Sequence, residues 1–289
     1  MIVSASYRTD IPAFYAAWFR ERFRAGEAVV ANPYGGLPAR VPLREGCDGF
    51  VFWTRNAEPF RAALDEVAGA GLPFVVQYSL TGYPRPLETS VPPAARAVES
   101  MRRISGEHGA AALVWRYDPI VLSDLTPPEW HLARFETLAA GLEGATEEVV
   151  TSFVQPYAKT RRRLGAAARA GGFAWRDPEA VEKRDLLRRL AAIAAARGMA
   201  LTVCAQPDLA DTGFAAAACV DAARLSRVAG RRIAAAPKGN RPGCACAESR
   251  DIGAYDSCAH GCVYCYAVGS AQAARRRLRA HDPAAERLA

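Results

Sequence analysis

Cysteines crowd the C-terminal part of this chain, and their spacing is its most chemically suggestive feature. Five of the eight cysteines fall between Cys244 and Cys265: the pair Cys244-Ala245-Cys246, then Cys258, Cys262 and Cys265 in a C-x3-C-x2-C run. Thiolates this close and this irregularly spaced suit a multinuclear iron-sulfur cluster, where each iron takes its own cysteine and a short loop wraps the cube. Three ligands leave one iron of a 4Fe-4S cluster open to a substrate or cofactor. Cys204 and Cys219 join Cys244 and Cys246 as further candidate ligands, together the ligand count of a closed second cluster. The opposing reading makes Cys204 and Cys219 small buried hydrophobes. Zinc competes for the whole tail, because Cys262 with Cys265 forms one C-x2-C knuckle, whereas Cys244 with Cys246 is too tight for its usual partner. His260 could replace a thiolate, although a histidine in such a loop is expected to face solvent. Cys47 stands alone and reads as structural.

A second set of chemistry-bearing residues follows short apolar runs. Arg8 and Asp10 follow the first run, Arg55 and Asn56 the third, Gln77-Tyr78-Ser79-Leu80-Thr81 the fourth, and Arg116 and Asp118 the fifth. The planar forks of Arg8, Arg55 and Arg116 suit a carboxylate or phosphate. Asp10 and Asp118 would orient those arginines or move protons, and Asp10 has the stronger competing reading of a helix N-cap. Asn32-Pro33 and Ser152-Phe153-Val154-Gln155 end two more runs and would extend the same lining.

The elements that must position these groups alternate in the manner of βα units. Strands are predicted at Ile2 to Ser6, Ala28 to Asn32, Gly49 to Trp53, Phe74 to Ser79, Ala112 to Tyr117, Glu148 to Phe153 and Ala200 to Cys204, with an eighth expected to be degenerate. Helices are predicted from Asp10 through Phe19, near Pro59 to Ala68, Pro92 to Gly106, Pro127 to Ala140, Pro178 to Arg197 and Val220 to Ala229, several opening on proline. The fold expected is α/β: a TIM-type (β/α) barrel, complete or incomplete, since 289 residues accommodate the roughly 250 such a barrel needs. Its active face would lie at the C-terminal strand ends. Residues 1–236 form the expected barrel domain, and the Pro237 to Gly243 connector opens a cysteine-rich cluster-binding segment, 237–289.

No apolar run approaches the roughly 18 residues of a membrane span, so a cytoplasmic protein with no membrane partner is expected. A reducing compartment favours metal ligation over disulfides. The formal charge of +7 is carried almost wholly by arginine. Arg161-Arg162-Arg163 and Arg275-Arg276-Arg277 read most simply as solvated helix faces.

The run Cys258-x3-Cys262-x-Tyr264-Cys265, followed by Tyr266, resembles the cluster motif of radical S-adenosylmethionine enzymes. In that superfamily three cysteines hold a 4Fe-4S cluster, the amine and carboxylate of S-adenosylmethionine chelate the fourth iron, and the aromatic lies near the adenine. The resemblance implies that Cys258, Cys262 and Cys265 are cluster ligands and that Tyr264 is the cofactor-binding aromatic. The motif normally follows the first barrel strand. Here it follows the barrel, as in the thiamine pyrimidine synthase, and no Gly-Gly-Glu segment occurs, because Gly35-Gly36 precedes Leu37. Over most of its length the chain is also similar to the bacterial domain-of-unknown-function family 1848, through Ser4 to Tyr15, Val51 to Asn56, Val114 to Ile120, Cys244 to Cys246, Asp251 to Tyr266 and His281-Asp282-Pro283. These likenesses imply an iron-sulfur enzyme of radical S-adenosylmethionine type, acting on a small organic substrate at the barrel mouth and reduced by a donor such as flavodoxin or ferredoxin. Two alternatives remain: a zinc- or cluster-stabilised ligand-binding or regulatory protein without catalysis, and a nucleic-acid repair enzyme similar to spore photoproduct lyase, nucleic acid being the less expected partner.

Overall fold

The computed structural model describes residues 1–32, 35–210, 213–239 and 241–288. Eight strands form one sheet: β1 (Ile2–Ala5), β2 (Gly49–Thr54), β3 (Phe74–Ser79), β4 (Leu113–Ile120), β5 (Glu148–Phe153), β6 (Ala200–Val203), β7 (Ala215–Ala216) and β8 (Ser249–Asp251). Every neighbouring pair in it is parallel. From one edge to the other the order is β7-β6-β5-β4-β3-β2-β1-β8, so the strands follow chain order and the tail strand is added outside β1.

The architecture is therefore mixed α/β with a large parallel sheet, and no closed barrel is found among the described residues. The two edges, β7 and β8, are not paired with each other. β7 has two residues, both exposed, and cannot offer a ladder long enough to close on. The chain beside that edge is met instead by a backbone bond, Ala247 N–H to Val220 O at 2.9 Å.

Six of the expected strands lie in this sheet within a few residues of their predicted bounds. The segment expected at Ala28 to Asn32 does not. It forms Glu27–Val30, paired antiparallel with Ala39–Pro42 in a separate two-stranded sheet, because a nearby extended segment offers a hairpin partner with no crossover. Pro33 lies outside the described residues.

Both faces of the main sheet are buried, which is why its strands read as continuous apolar runs. Alternate residues serve different cores: Phe50 and Phe52 join Trp18, Phe19 and Phe60 on one face, while Val51 joins Ile2, Val75, Val114 and Leu225 on the other. Asp10 caps the helix Ile11–Phe14, its Oδ1 accepting the Ala13 N–H at 2.9 Å, with Pro12 in the first turn. No helix among the described residues is long and apolar enough to cross a membrane.

His131, on the helix Pro128–Leu142, is completely buried, with Nδ1 2.8 Å from the Tyr117 hydroxyl and Nε2 3.1 Å from Val121 O. Burial pushes its imidazole down to about 4. The folded chain thus holds His131 neutral where the unfolded chain, titrating near 6.5, would protonate it. Its contribution is complete above about pH 6.5 and is lost as pH falls toward 4, by about 3 kcal/mol in all. Urea denaturation across this window is expected to show that slope, and His131→Gln to lack that component of it.

Candidate functional site

Strands β1, β2 and β3 release their connecting loops at one end of the sheet, and the cysteine loop 258–265 is fastened across those loops. Glu88 and Cys262 form an antiparallel bridge. Val263 N–H donates to Leu87 O at 3.1 Å, and Ser90 N–H to His260 O at 2.9 Å. Gly261 turns the loop at φ +75°, and a Cβ there would sit 2.1 Å from Thr89 Oγ1, so only glycine fits. Cys262 is buried and Cys258 and Cys265 are half-buried.

Buried polar contacts reinforce this seam. Asp10 Oδ2 accepts from the Arg55 backbone N–H at 2.7 Å and from His260 Nε2 at 2.7 Å. His260 is 3 % exposed rather than solvent-facing, because Asp10 supplies an acceptor and the Phe14 ring covers it at 4.6 Å. Glu88 Oε1 accepts from Arg55 Nη1 at 2.7 Å, from Thr81 Oγ1 at 2.6 Å and from the Tyr264 hydroxyl. Arg55 Nη2 donates to that same hydroxyl at 2.8 Å. Burial works to lower the pKa of Arg55, but Glu88 and Tyr264 beside it hold it well above its ordinary value. Burial pushes the Tyr264 phenol well up.

Behind this, Asp251 at the end of β8 accepts from Ser4 Oγ at 2.9 Å, Ser6 Oγ at 2.7 Å, Tyr7 N–H at 3.0 Å and Gly253 N–H at 2.9 Å. Arg8 Nε stands 3.7 Å from Asp251 Oδ1, and this buried donor has no hydrogen-bond partner. The Arg8 guanidinium lies 5.5 Å from the ring centroids of both Tyr7 and Tyr255.

A second group surrounds Arg116. Its Nη1 is 2.8 Å from Cys219 Sγ and 3.4 Å from Gln77 Oε1, its Nη2 donates to Asp118 Oδ2, and the Trp53 ring lies beneath at 5.0 Å. Asp118 Oδ1 in turn accepts from the Ser152 hydroxyl. Cys219 Sγ is 3.7 Å from Cys204 Sγ. Cys246 touches both Cys219 and Cys244. Its sulfur accepts the Val220 N–H at 3.3 Å, and Arg241 Nη2 points at Cys204 Sγ from 3.7 Å.

Two sets of sequence-predicted residues are thus brought together: Asp10 and Arg55 with Tyr264 and the cysteine loop, and Arg116 and Asp118 with Cys204, Cys219, Cys244 and Cys246. Asn56 joins neither, since its Oδ1 caps the Glu58 N–H at 3.3 Å within its own turn. Cys47 is buried with its thiol against Gly49 O at 3.6 Å. His281 lies edge-on to Tyr15 at 4.8 Å.

Glu88 and Asp251 carry no sequence signal as members of these networks, whereas Thr81 is one of the strand-end polar residues expected to line the site. Both arginine runs lie on largely exposed helix faces, as expected, and some members also reach the tail: Arg163 donates to Cys265 O at 3.0 Å and Val268 O at 2.8 Å, Arg275 to Ser90 Oγ at 2.8 Å, and Arg277 to Tyr255 O at 2.9 Å. Each run contains one or more arginines within reach of carbonyls or hydroxyls that the cysteine tail brings close.

Among the described residues no three His, Cys, Asp or Glu side chains converge tightly enough to share one metal ion. A cluster asks for a different arrangement, because each thiolate binds a separate iron. Burial pushes the Cys262 thiol up to about 12 and the Cys258 thiol well up. In the other group the Cys204 contact draws Cys219 down, but Cys246 and burial together push it up to about 11. Metal loading at either place must displace protons.

No curated protein matches the chain. The family described as Domain of unknown function (DUF1848) matches residues 2–267, and the chain belongs to that family.

Proposed function

We propose that this protein is an iron-sulfur enzyme of the radical S-adenosylmethionine kind, acting on a small organic substrate at the C-terminal ends of β1 to β3. The observation that carries the reading is the seam between the C-x3-C-x2-C loop and the strand-end loops, made by the Glu88–Cys262 bridge and the Asp10–His260 contact. The strand order, consecutive from β1 to β7, further supports reading the sheet as a TIM-type barrel left open at one seam. In such a fold chemistry belongs at this end of the strands.

The donor set fits the group. Cys258, Cys262 and Cys265 would hold a 4Fe-4S cluster by three thiolates, with Tyr264 as the neighbouring aromatic. Such a cluster would supply the electron for reductive cleavage of S-adenosylmethionine, with methionine as the other product, and so hydrogen-abstracting radical chemistry on the substrate. The residues of this chain position and shield. Asp10 fixes the loop through His260, and Glu88 with Arg55 fixes the ring of Tyr264. Arg55 and Arg116 are positioning residues, since their donors are engaged internally. Arg8, whose Nε makes no hydrogen bond although the side chain is ion-paired with Asp251, is the guanidinium assigned to an anionic substrate group. The electron would come from a cytoplasmic donor such as flavodoxin or ferredoxin.

Anaerobic purification followed by iron and sulfide analysis, dithionite reduction and incubation with S-adenosylmethionine tests this. Expected are bound iron and sulfide, an EPR signal from the reduced cluster, and 5'-deoxyadenosine. Zinc without iron overturns the proposal, and bound iron without cofactor cleavage overturns its radical half.

A further inference from the structure

A polar cavity of about 200 Å³ opens beside the C-terminal end of β3, and the chemistry proposed above makes no use of it. Arg55 and Glu88 form the wall it shares with Tyr264, which both contact and which does not itself line the space. It is smaller than the roughly 300–1,000 Å³ of pockets that take larger ligands, so its occupant has few heavy atoms.

The lining carries an excess of positive charge. Glu88 is its only carboxylate, and that charge is matched by Arg55 at 2.7 Å, with Thr81 and Tyr264 donating to the same oxygen. Two guanidinium groups are left over, Arg85 and Arg134, and neither has a carboxylate partner among the described residues. Arg85 is pinned to its own loop, donating to Val91 O at 2.8 Å and Thr89 O at 3.3 Å, which leaves its charge unmatched. Arg134 and the Ser79 hydroxyl make no hydrogen bond among the described residues. The helix Ala94–His108 adds the positive end of its dipole, since Pro93 and Ala94 line the cavity and no side chain caps the first turn.

Arg134 is half-buried and is held by contacts of its stem and face alone. Its guanidinium carbon lies 5.4 Å from the Trp130 ring centroid, and Trp130 stacks on Tyr83 at 5.5 Å. The stem passes over Gly82, where φ is +66° and a Cβ would stand 3.1 Å from Arg134 Cδ. Glycine thus both makes the turn and clears the path of the side chain. A guanidinium fixed in this way has already given up rotamer freedom that binding would otherwise cost, and its planar fork of donors stays open to an oxyanion.

We infer that this cavity is an anion site that takes the carboxylate or phosphate of a small organic molecule, with Arg134 gripping the anion and Arg85 supplying further positive charge. Arg8 does not line it, so it is separate from the place assigned to that residue. It needs no metal, and it stands whether or not Cys258, Cys262 and Cys265 hold a cluster.

The test is calorimetric titration of the full chain with inorganic phosphate and, separately, with acetate. Saturable one-to-one binding of at least one is expected, phosphate alone marking a phosphate-bearing ligand and acetate alone a carboxylate. Arg134→Gln keeps most of the stem and removes the charged fork, so it should weaken binding about tenfold or more. Arg85→Gln should weaken it by less, because part of that side chain is already spent on carbonyls. Arg188→Gln, at an exposed position on the helix Ala180–Ala196, should leave it unchanged. Circular dichroism checks that each variant is folded. No saturable binding of either anion overturns the inference. So does binding that both Arg134→Gln and Arg85→Gln leave intact, and its loss in Arg8→Gln would then assign the anion to the strand-end site instead.

Discussion

Replacing Glu88 with alanine is expected to lower the unfolding free energy by about 3–5 kcal/mol, the cost of stranding a buried charge. Glu88 is 3 % exposed at its side chain and Arg55 11 %, so neither can turn to water when the other is lost. Truncation also strips Thr81 and Tyr264 of their acceptor. Glu88→Gln keeps a carbonyl oxygen for these donors and should cost less, and Arg55→Met with Glu88→Leu should recover most of the loss, because an apolar pair replaces a buried ion pair at little penalty. Urea denaturation at pH 7 measures all three. A loss under about 1 kcal/mol for Glu88→Ala would mean that Arg55 finds water or another partner. The consequence reaches the cysteine loop, since Tyr264 sits between Cys262 and Cys265 and is held by both members of the pair. Cleavage of that loop by chymotrypsin at Tyr264 should therefore accelerate in Glu88→Ala more than stability alone accounts for.

What the sequence made legible follows from burial. The main strands are covered on both faces, so they appear as unbroken apolar runs, and Phe74–Ser79 and Glu148–Phe153 stand where the runs predicted them. Edge strands have no such signature. Ala215–Ala216 is exposed, and Ser249-Arg250-Asp251 is polar, so pairing with an existing neighbour is all that makes them strands. The helix Ala158–Gly171 leaves little mark in the sequence, because Thr160 and Leu164 alone are buried on it, too few to print a period.

The same logic divides the candidate site. The N-cap role of Asp10 is local and could be read from Asp-Ile-Pro, whereas its contact with His260 joins residues 250 positions apart and has no local mark. Glu88 sits in a segment with no motif, and its importance arises when Arg55 and Tyr264 are folded against it. Asn56, a polar residue directly after a strand, accepts the Glu58 N–H within its own turn and joins neither network.

Asp251→Ala is the second large effect, again about 3–5 kcal/mol, and its origin differs. Burial raises the Asp251 carboxyl pKa above its ordinary value, although Ser6 and Arg8 pull the other way. A carboxyl raised in this way favours the folded state most when protonated, below the unfolded value, and loses that contribution as pH rises through the folded value. At neutral pH its negative charge is therefore not what stabilises the chain. The loss on truncation comes from the groups left behind: two serine hydroxyls, the N–H groups of Tyr7 and Gly253, and the Arg8 guanidinium. These groups join β1 to the tail, so Asp251 acts as the clasp between the start of the chain and its cysteine-bearing end. Asp251→Asn should not rescue it fully, because each oxygen accepts a backbone N–H and the amide nitrogen must face one of them. Hydrogen exchange provides the local readout, since the Ile252 N–H donates to Ser4 O at 3.0 Å beside the clasp. Faster exchange there in both variants, larger in alanine, is the expected result. Unchanged protection with a stability loss under about 1 kcal/mol would show that β8 is held to β1 by its ladder alone.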